Sequence, residues 1–412
     1  MTVTPMHPEA STLWKGPRWT LALLLATLSM LAPFAIDAYL PAFGGIATDL
    51  GASALQMQQT LSVFLFGFAA MNLFHGALSD SLGRRPVVLA SLVVFALASV
   101  GCALSTDPAT LLFFRALQGM SAGGGLVVAR AIIRDMFPPS EAQRVMSQVT
   151  IYFGVAPAVA PMIGGLLYEA IAWQAVFWLL ALIGATQCLL MARQLPESLP
   201  AAQRQPLRLG PLLRGYWQIG RDLRFLALAV ASAVPFNGMF VYVLAAPSWL
   251  GGHLQLAPTQ FFWFFSLSVS GIMGGAWCSG RLAGRMSRAG QTWLGFAVMS
   301  VATVANLAGN AWLAPSVVWA LIPVSLYSFG WALVVPVVTL TLLDLVPQRR
   351  GMASSVQAFL GAVTNGVVAG VLVPLVMHST LALALASAAM LAAGALSWVW
   401  VHPRLPAAVA GA

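Results

Sequence analysis

The stretch Gly76-Ala-Leu-Ser-Asp-Ser-Leu-Gly-Arg-Arg85 joins the second long apolar segment of this sequence to the third. A related stretch, Trp277-Cys-Ser-Gly-Arg-Leu-Ala-Gly-Arg285, follows the eighth apolar segment. When the two are aligned, Gly83 coincides with Gly284 and Arg84 with Arg285, whereas Asp80 has become Arg281. The same polar turn after the second segment of each half indicates an internal duplication.

Apolar segments make up most of the chain around these turns. Of 412 residues, 59% are hydrophobic and 8% are charged. A soluble domain carries about a quarter of its residues charged, so the composition excludes an ordinary soluble protein and a disordered one. A membrane-spanning helix takes about 20 apolar residues, and the chain has enough of them for about twelve spans. The segments are long and continuous, which argues against a transmembrane barrel.

We therefore predict an all-α membrane protein of twelve transmembrane helices in two pseudo-symmetric six-helix bundles. The first six spans are predicted at residues 19–43, 55–78, 87–104, 110–133, 144–168 and 174–192. The second six are predicted at residues 223–249, 258–280, 291–308, 316–342, 352–376 and 381–401. This gives an N-terminal bundle at 1–192, a cytoplasmic linker at 193–222 and a C-terminal bundle at 223–412.

The basic residues fall on one side of this arrangement. All but one of the 20 lysines and arginines lie in the segments that share the side of the N-terminus, and the loops on the other side carry Asp49, Asp107 and Glu169 instead. Because Lys and Arg concentrate in cytoplasmic loops, we expect both termini to be cytoplasmic. This distribution also explains the net charge of +9 without a nucleic-acid partner.

Motifs typical of enzymes are missing from the sequence. We find no P-loop, no zinc-type cluster and no nucleotide-binding domain, and the three cysteines form no C-x-x-C pair. We therefore predict no catalytic activity, no metal and no cofactor, so that an ion gradient or the substrate's own gradient must supply the energy. The expected partners are a small molecule and membrane lipid, and the expected oligomeric state is a monomer.

Two ionisable residues lie clearly within predicted spans, Asp37 in the first and Arg115 in the fourth. Such side chains cost several kcal/mol inside a membrane, which makes both candidates for function. The helical rise places both about 9 Å below the outer surface. Equal depth permits pairing, or competition for a common ligand. The alternative is a static structural pair, or an Asp37 side chain that reaches the outer water.

Asp37 has the chemistry of a proton-exchanging group. Burial favours its neutral acid, whereas a nearby guanidinium favours the carboxylate, and Arg115 itself keeps its proton. Pro33 and Pro41 lie on the same helix face as Asp37 and leave backbone carbonyls without N–H partners. Freed carbonyls are tolerated where a helix lines a cavity, although a packing kink is the alternative reading.

These residues resemble the major facilitator superfamily, and within it the twelve-span Bcr/CflA-type drug/proton antiporters. Asp37-Ala-Tyr-Leu-Pro41 is similar to the D-x-Y-L-P motif of span 1. The other three matches are to the loop 2–3 signature (Gly76, Asp80, Gly83, Arg84, Arg85), the span 4 signature R-x-x-Q-G (Arg115, Gln118, Gly119) and the span 5 antiporter motif (Gly154, Pro157, Pro161, Gly164, Gly165). His75 and Ser81 depart from the common pattern of the loop 2–3 signature.

The resemblance implies antiport of protons and drugs by alternating access across a bacterial inner membrane, driven by the proton gradient. Asp37 and Arg115 would carry proton coupling and substrate binding, and the loop 2–3 motif would gate. Asp80 is also expected to latch onto the start of span 11, near 351–354, when the cytoplasmic side closes. The alternatives are a metabolite exporter or a proton symporter on the same fold, and a sensor or scaffold without transport.

Aromatic, methionine and amide side chains at suitable depths are the candidates for the substrate cavity, because they adapt to amphiphilic compounds with few fixed hydrogen bonds. The set consists of Tyr39, Met57, Asn237, Met239, Phe240, Tyr242, Tyr327, Trp331, Gln357 and Asn365. For any one of them, core packing or contact with lipid is the competing interpretation.

Overall fold

The computed structural model of the chain is built of helices. It describes residue 14, residues 18–137, residues 145 and 149, and residues 155–313 and 316–405. Within these ranges eleven helices are long and apolar enough to cross a membrane, and no strand is formed. The prediction of an all-α membrane protein is confirmed.

The first half and the second half each contain a series of long helices, with a short helix between them. The helices of the first half are α1 (Arg18–Asp37), α2 (Phe43–Leu50), α3 (Ala54–Leu82), α4 (Arg84–Ala103), α5 (Pro108–Met136), α6 (Val155–Ala170) and α7 (Gln174–Gln194). The remaining helices are α8 (Leu209–Gly220), α9 (Leu223–Leu244), α10 (Phe262–Leu282), α11 (Arg288–Trp312), α12 (Val317–Leu345), α13 (Arg350–Val367), α14 (Val373–Val376) and α15 (Thr380–Val401).

Eleven spans are found where the sequence predicts twelve. The predicted fifth span, 144–168, corresponds to α6, which begins at Val155. Most of the residues between 138 and 154 lie outside the part of the chain that the structure describes. The other eleven predicted spans each correspond to one of the eleven candidates.

The first span is longer than predicted and is interrupted at Asp37. Helix α1 ends at Asp37, a single 3-10 turn covers Leu40–Ala42, and α2 continues to Leu50. Pro41 has no N–H to donate to the carbonyl of Asp37, so the α-helical ladder stops there. The carboxyl of Asp37 therefore lies at a helix end inside the membrane rather than in the middle of a regular helix.

Glycines allow the central helices of the first half to pack closely. Helix α5 lies against α3 and α4, and α4 also packs against α7. A Cβ on Gly119 would lie 2.0 Å from the backbone oxygen of Phe64, and one on Gly125 would lie 2.3 Å from that of Leu28. Small residues at such crossings let backbones approach without lipid or water between them.

The repeated turn contains a glycine with positive φ in both halves. Gly83 has φ of 104° and Gly284 has φ of 76°. Both values lie in a region that side chains with a Cβ rarely adopt. The glycines shared by the two turns are therefore required by geometry, which supports the duplication read from the sequence.

The two halves are joined closely at one end of the molecule. We call this end, which carries the loops at 51–53, 104–107 and 171–173, the arginine-poor end. The opposite end, with the turns at Gly83 and Gly284, is the arginine-rich end. At the arginine-poor end α3 packs against α13, and α6 packs against α10. The boundaries predicted for the two bundles and the linker stay predictions.

Three side-chain amides and hydroxyls of α3 make the contact between the halves specific. Gln58 donates to the backbone oxygen of Leu244 at 3.1 Å, and Gln59 to that of Gly370 at 2.9 Å. Ser62 donates to the oxygen of Gly366 at 2.8 Å. Because these bonds reach backbone oxygens, they hold the helices in register without using a charged side chain of α3.

Candidate functional site

Asp37 is buried and has no ion-pair partner in the part of the chain that the structure describes. Its side chain is 5% exposed. Among the described residues it accepts no hydrogen bond and forms no salt bridge. A carboxyl held in this way can gain or lose a proton without the rupture of an ion pair, although the charged form is costly inside a membrane.

Arg115 is fully buried beside the same stretch of chain. Its Nη1 donates to the backbone oxygen of Ala35 at 3.2 Å and to Oε1 of Gln118 at 2.6 Å. The guanidinium carbon lies 4.6 Å from the ring centroid of Tyr39 and 4.4 Å from that of Phe64. Two aromatic faces thus take the place of a carboxylate in stabilising the cation.

Part of the hydrogen-bonding capacity of the Arg115 guanidinium is unused among the described residues. Nε and Nη2 of Arg115 are buried and have no partner within the described ranges. Because a guanidinium has five N–H donors, the unpartnered nitrogens can bind a carbonyl or an anionic group that enters the site. The pairing of Asp37 with Arg115 that equal depth permits is not formed. Both residues lie at the same helix end, Arg115 through its bond to Ala35.

Gln118, another residue of the span 4 motif, helps to hold Arg115 in place. Gln118 accepts from Arg115 and donates through Nε2 to Oγ of Ser99 at 2.7 Å. Tyr39 shares a hydrogen bond of 2.8 Å with Oγ1 of Thr60. These bonds fix both the amide and one of the aromatic rings that sandwich the guanidinium. Thr60, Phe64 and Ser99 could not be recognised from the sequence, because polar and aromatic residues at these depths are common.

The second half contains a cluster of neutral polar side chains. Nδ2 of Asn237 donates to Oδ1 of Asn365 at 2.9 Å, and Oδ1 of Asn237 is buried without a partner. Nε2 of Gln357 donates to Oγ of Ser232 at 3.2 Å and to Oγ1 of Thr339 at 3.0 Å. The predicted candidates Asn237 and Asn365 thus meet where α9 faces α13, and Gln357 contacts α9 eight residues earlier on α13.

Aromatic rings form an adjoining wall. The rings of Phe236 and Phe240 stack at 5.1 Å, and Trp331 lies 4.8 Å from Phe236. Nε1 of Trp331 donates to the backbone oxygen of Ser232 at 3.0 Å, which connects the wall to the amide cluster. Such a combination suits compounds with an apolar body and a few carbonyl or amide groups. Phe236 was not among the sequence candidates.

The other cavity candidates lie in the interior of their own half. Met57, Met239, Tyr242 and Tyr327 are at most 5% exposed and belong to the hydrophobic core. Tyr327 donates to the backbone oxygen of Pro235 at 2.9 Å, and Tyr242 accepts from Asn306 at 2.6 Å. The hydroxyls of Tyr242 and Tyr327 are therefore engaged in hydrogen bonds within the second half.

The loop 2–3 motif forms an ion-pair network. Arg84 pairs with Asp80 and, at 2.9 Å, with Asp135 at the end of α5. It also donates to Oγ of Ser79 at 2.7 Å. The carboxylate of Asp80 thus binds within its own turn, and the expected contact with the start of α13 is not formed in this structure.

Glu197 also belongs to this network, and no sequence motif indicates it. Its carboxylate accepts from the backbone N–H groups of Arg84 at 2.9 Å and of Arg85 at 3.2 Å. It therefore caps α4 at the end where helix N–H groups lack partners. The partners are 113 residues apart in the chain, so no local pattern could have revealed the contact.

Two adjacent glycines of the span 5 motif face different helices. A Cβ on Gly164 would lie 2.0 Å from the backbone oxygen of Ala38, the residue after Asp37. A Cβ on Gly165 would lie 2.9 Å from the backbone of Pro258, in the second half. Pro157 and Pro161 lie on α6, whereas Gly154 lies outside the described residues. Helix α6 thus touches both the Asp37 segment and the other half.

Similar proteins are found in other bacteria by sequence comparison. The chain is 34% identical over 247 residues to the bicyclomycin resistance protein homolog of Haemophilus influenzae, covering 60% of this chain and 62% of that protein. It is 27% identical over 350 residues to multidrug resistance protein D of Escherichia coli, covering 85% and 87%.

Solved transporter structures share the fold. The peptide transporter POT in complex with sulfate superposes with a TM-score of 0.75 at 16% identity, covering 97% of this chain and 95% of that one. Residues 25–369 match the family description Major Facilitator Superfamily. With eleven apolar helices, the repeated turn and this match over most of its length, the chain is a transporter that belongs to the Major Facilitator Superfamily.

Proposed function

We propose that this protein exports small amphiphilic compounds, including antibiotics, in exchange for protons. The observation that carries the proposal is the pair of buried, ionisable residues Asp37 and Arg115, neither of which has an ion-pair partner among the described residues. The names of the two relatives, one for bicyclomycin resistance and one for multidrug resistance, support drugs as the substrate class.

In this mechanism Asp37 carries the proton. When Asp37 is protonated the site holds one positive charge, on Arg115; when Asp37 is ionised the two charges balance. Arg115 does not release its proton, so it sets the field that Asp37 feels. A substrate carbonyl bound to the free nitrogens of Arg115 would alter that field, and this links substrate occupancy to proton release.

The polar groups of the substrate would bind to the amides of Asn237, Gln357 and Asn365. Its apolar body would pack against the rings of Phe236, Phe240 and Trp331. No metal or cofactor takes part in this scheme, and the proton gradient drives it. The protein would work as a monomer.

We further propose that the arginine-rich end faces the cytoplasm of a bacterial inner membrane, with both termini on that side. Positive loops are retained on the cytoplasmic side. The bonds from Gln58, Gln59 and Ser62 would then close the outer side. Compounds would enter the site from the cytoplasm, which is the direction that an efflux protein needs.

A resistance panel tests the function. Cells that lack their main efflux pumps would express the wild type, Asp37→Asn or the control Asp107→Asn at matched membrane levels. Asp107 is an exposed carboxylate that caps α5, so the control makes the same chemical change away from the site. We expect resistance to several amphiphilic antibiotics in the wild type and in the control, and loss of resistance in Asp37→Asn.

Two other outcomes would contradict the proposal. Full resistance in Asp37→Asn would move proton coupling to another residue. No resistance to any compound in cells with confirmed wild-type expression would reject drug export and favour a metabolite transporter on the same fold.

A further inference from the structure

Helix α8 lies between the two halves at the arginine-rich end and touches both. Tyr216 donates through its hydroxyl to the backbone oxygen of Leu73 in α3 at 2.8 Å. On the other side, a Cβ on Gly215 would lie 2.7 Å from the methyl carbon of Met352 in α13. Gln218 accepts from Arg349 at 2.6 Å. The helix therefore forms a strap across the two halves.

The strap carries an apolar stripe that the protein leaves uncovered. Leu209, Leu213 and Trp217 are 49%, 50% and 67% exposed. Spaced four residues apart, they fall within an arc of about 80° on the helix. Helix α8 is not one of the eleven candidate spans, so exposure to the hydrocarbon core of a membrane does not explain this stripe.

Arginines border the stripe on the side away from the protein. Arg214 and Arg221 lie about 40–60° beyond Trp217 around the helix, and both are exposed. The guanidinium carbon of Arg221 lies 6.0 Å from the ring centroid of Trp217. The order around the helix is thus protein contact, apolar stripe, basic edge. A helix that lies in the headgroup layer of an anionic membrane shows this order.

The segment around the helix is basic as a whole. Residues 193–222 contain the arginines 193, 204, 208, 214 and 221, against the acids Glu197 and Asp222. Glu197 is committed to capping α4, and Asp222 caps α9 and pairs with Arg224. Arg214 and Arg221 have no carboxylate partner among the described residues, which leaves them free to bind phosphate groups of anionic lipid.

We propose that α8 docks onto anionic lipid of the membrane that the protein spans. Leu209, Leu213 and Trp217 insert among the acyl chains, and Arg214 and Arg221 contact the headgroups. Because the strap also touches α3 and α13, separation of the halves at this end must move α8 relative to the lipid or to one half. Anionic lipid therefore contributes to the balance between the states of the transporter; this last step alone rests on the proposed function.

Hydrogen–deuterium exchange of the purified protein in lipid nanodiscs tests the docking. Backbone amides of residues 209–222 would be followed in nanodiscs of phosphatidylcholine and in nanodiscs with equal parts of phosphatidylcholine and phosphatidylglycerol. We expect exchange about tenfold slower in the anionic nanodiscs, because an inserted helix opens less often. Equal rates in the two lipids would overturn the proposal.

Two double substitutions test the apolar stripe and the basic edge of α8 separately. Leu213→Glu combined with Trp217→Glu should abolish the protection. Arg214→Gln combined with Arg221→Gln should make the exchange rate independent of phosphatidylglycerol. The matched control is Gln203→Glu combined with Gln205→Glu, which adds the same charge to exposed positions of the segment outside the helix and should behave as the wild type. Identical behaviour of control and helix variants would also overturn the proposal.

Two further outcomes are informative. Protection in native membranes that is absent from nanodiscs of either lipid would show that a protein covers the stripe, which contradicts lipid docking. Lipid-dependent protection in a protein that exports no drug would leave the docking intact and reject the proposed function, so the two failures can be told apart.

Discussion

The two halves of the molecule bury polar groups in different ways. In the first half, Asp37 and Arg115 are ionisable, and neither has an ion-pair partner among the described residues. In the second half, Asn237, Asn365 and Gln357 are neutral and hydrogen-bonded to side chains of the same half. A group that must change its charge cannot be locked in an ion pair, whereas a group that recognises a ligand works best when it is held in position. Under the proposed function, this difference corresponds to a division between proton coupling in the first half and substrate recognition in the second.

The largest effect is expected from a substitution that should remove proton coupling and leave substrate recognition intact. In proteoliposomes, Asp37→Asn should reduce export driven by a pH gradient to the level of empty vesicles, because the side chain no longer exchanges a proton. Exchange of labelled for unlabelled substrate without a gradient should persist, since the amide cluster is intact. Loss of both activities in a correctly folded variant would show that coupling and recognition are not divided.

Arg115→Lys should lower driven export by about tenfold to a hundredfold. A lysine keeps the charge but loses the planar group that stacks between Tyr39 and Phe64, and such contacts are worth about 1–3 kcal/mol together. Initial rates of transport in proteoliposomes would measure the change. Arg134→Lys, on an exposed position of the same helix, is the control. Full activity in Arg115→Lys would mean that charge alone matters at this site.

An added methyl group should cost more stability beside Ala38 in the first half than beside Tyr327 in the second half. Gly164→Ala would place Cβ 2.0 Å from the backbone oxygen of Ala38, and Gly238→Ala would place it 2.2 Å from the hydroxyl of Tyr327. A side chain can move more easily than a backbone, so we expect the larger loss of stability for Gly164→Ala, about 1–3 kcal/mol. Thermal unfolding in detergent would rank the two. Gly44→Ala, with nothing within 4 Å, should not be destabilised, and an equal loss in all three would refute the packing argument.

The smallest effect is expected in the neutral cluster. Asn237→Leu removes the bond to Asn365, worth about 1 kcal/mol, and should weaken substrate affinity about fivefold while the pH gradient still drives export. Substrate binding to the purified protein would measure it, with Asn310→Leu near the arginine-poor end as the control. A change in proton coupling without a change in affinity would reverse the assignment of the two halves.

Much of the site could be predicted from types of residue, but its contacts could not. Asp37 and Arg115 stand out because charge inside an apolar segment is rare and costly. That Arg115 lies between two aromatic rings instead of pairing with Asp37 depends on where α3 and α5 cross, and this is set by Gly119 and Gly67 at their interface. Local sequence does not encode the resulting distance between side chains.

The loop 2–3 motif shows the same limit. Its turn was predictable, because Gly83 and Gly284 are needed for the backbone conformation found there. Its ion pairs were only half predictable: Asp80 lies four residues before Arg84 in the sequence, whereas Asp135 and Glu197 come from distant parts of the chain. The expected latch to α13 is not formed in this structure, since Asp80 is bound within its own turn.

The sequence by itself determined the membrane-spanning class, nearly all of the spans and the duplication, because hydrophobic length and backbone freedom are local properties that a run of residues carries with it. Only the tertiary structure decided which buried charges pair, which amides meet and at which end α3 packs against α13. These depend on helix crossings between residues far apart in the chain, where a shift of one ångström makes or breaks a hydrogen bond.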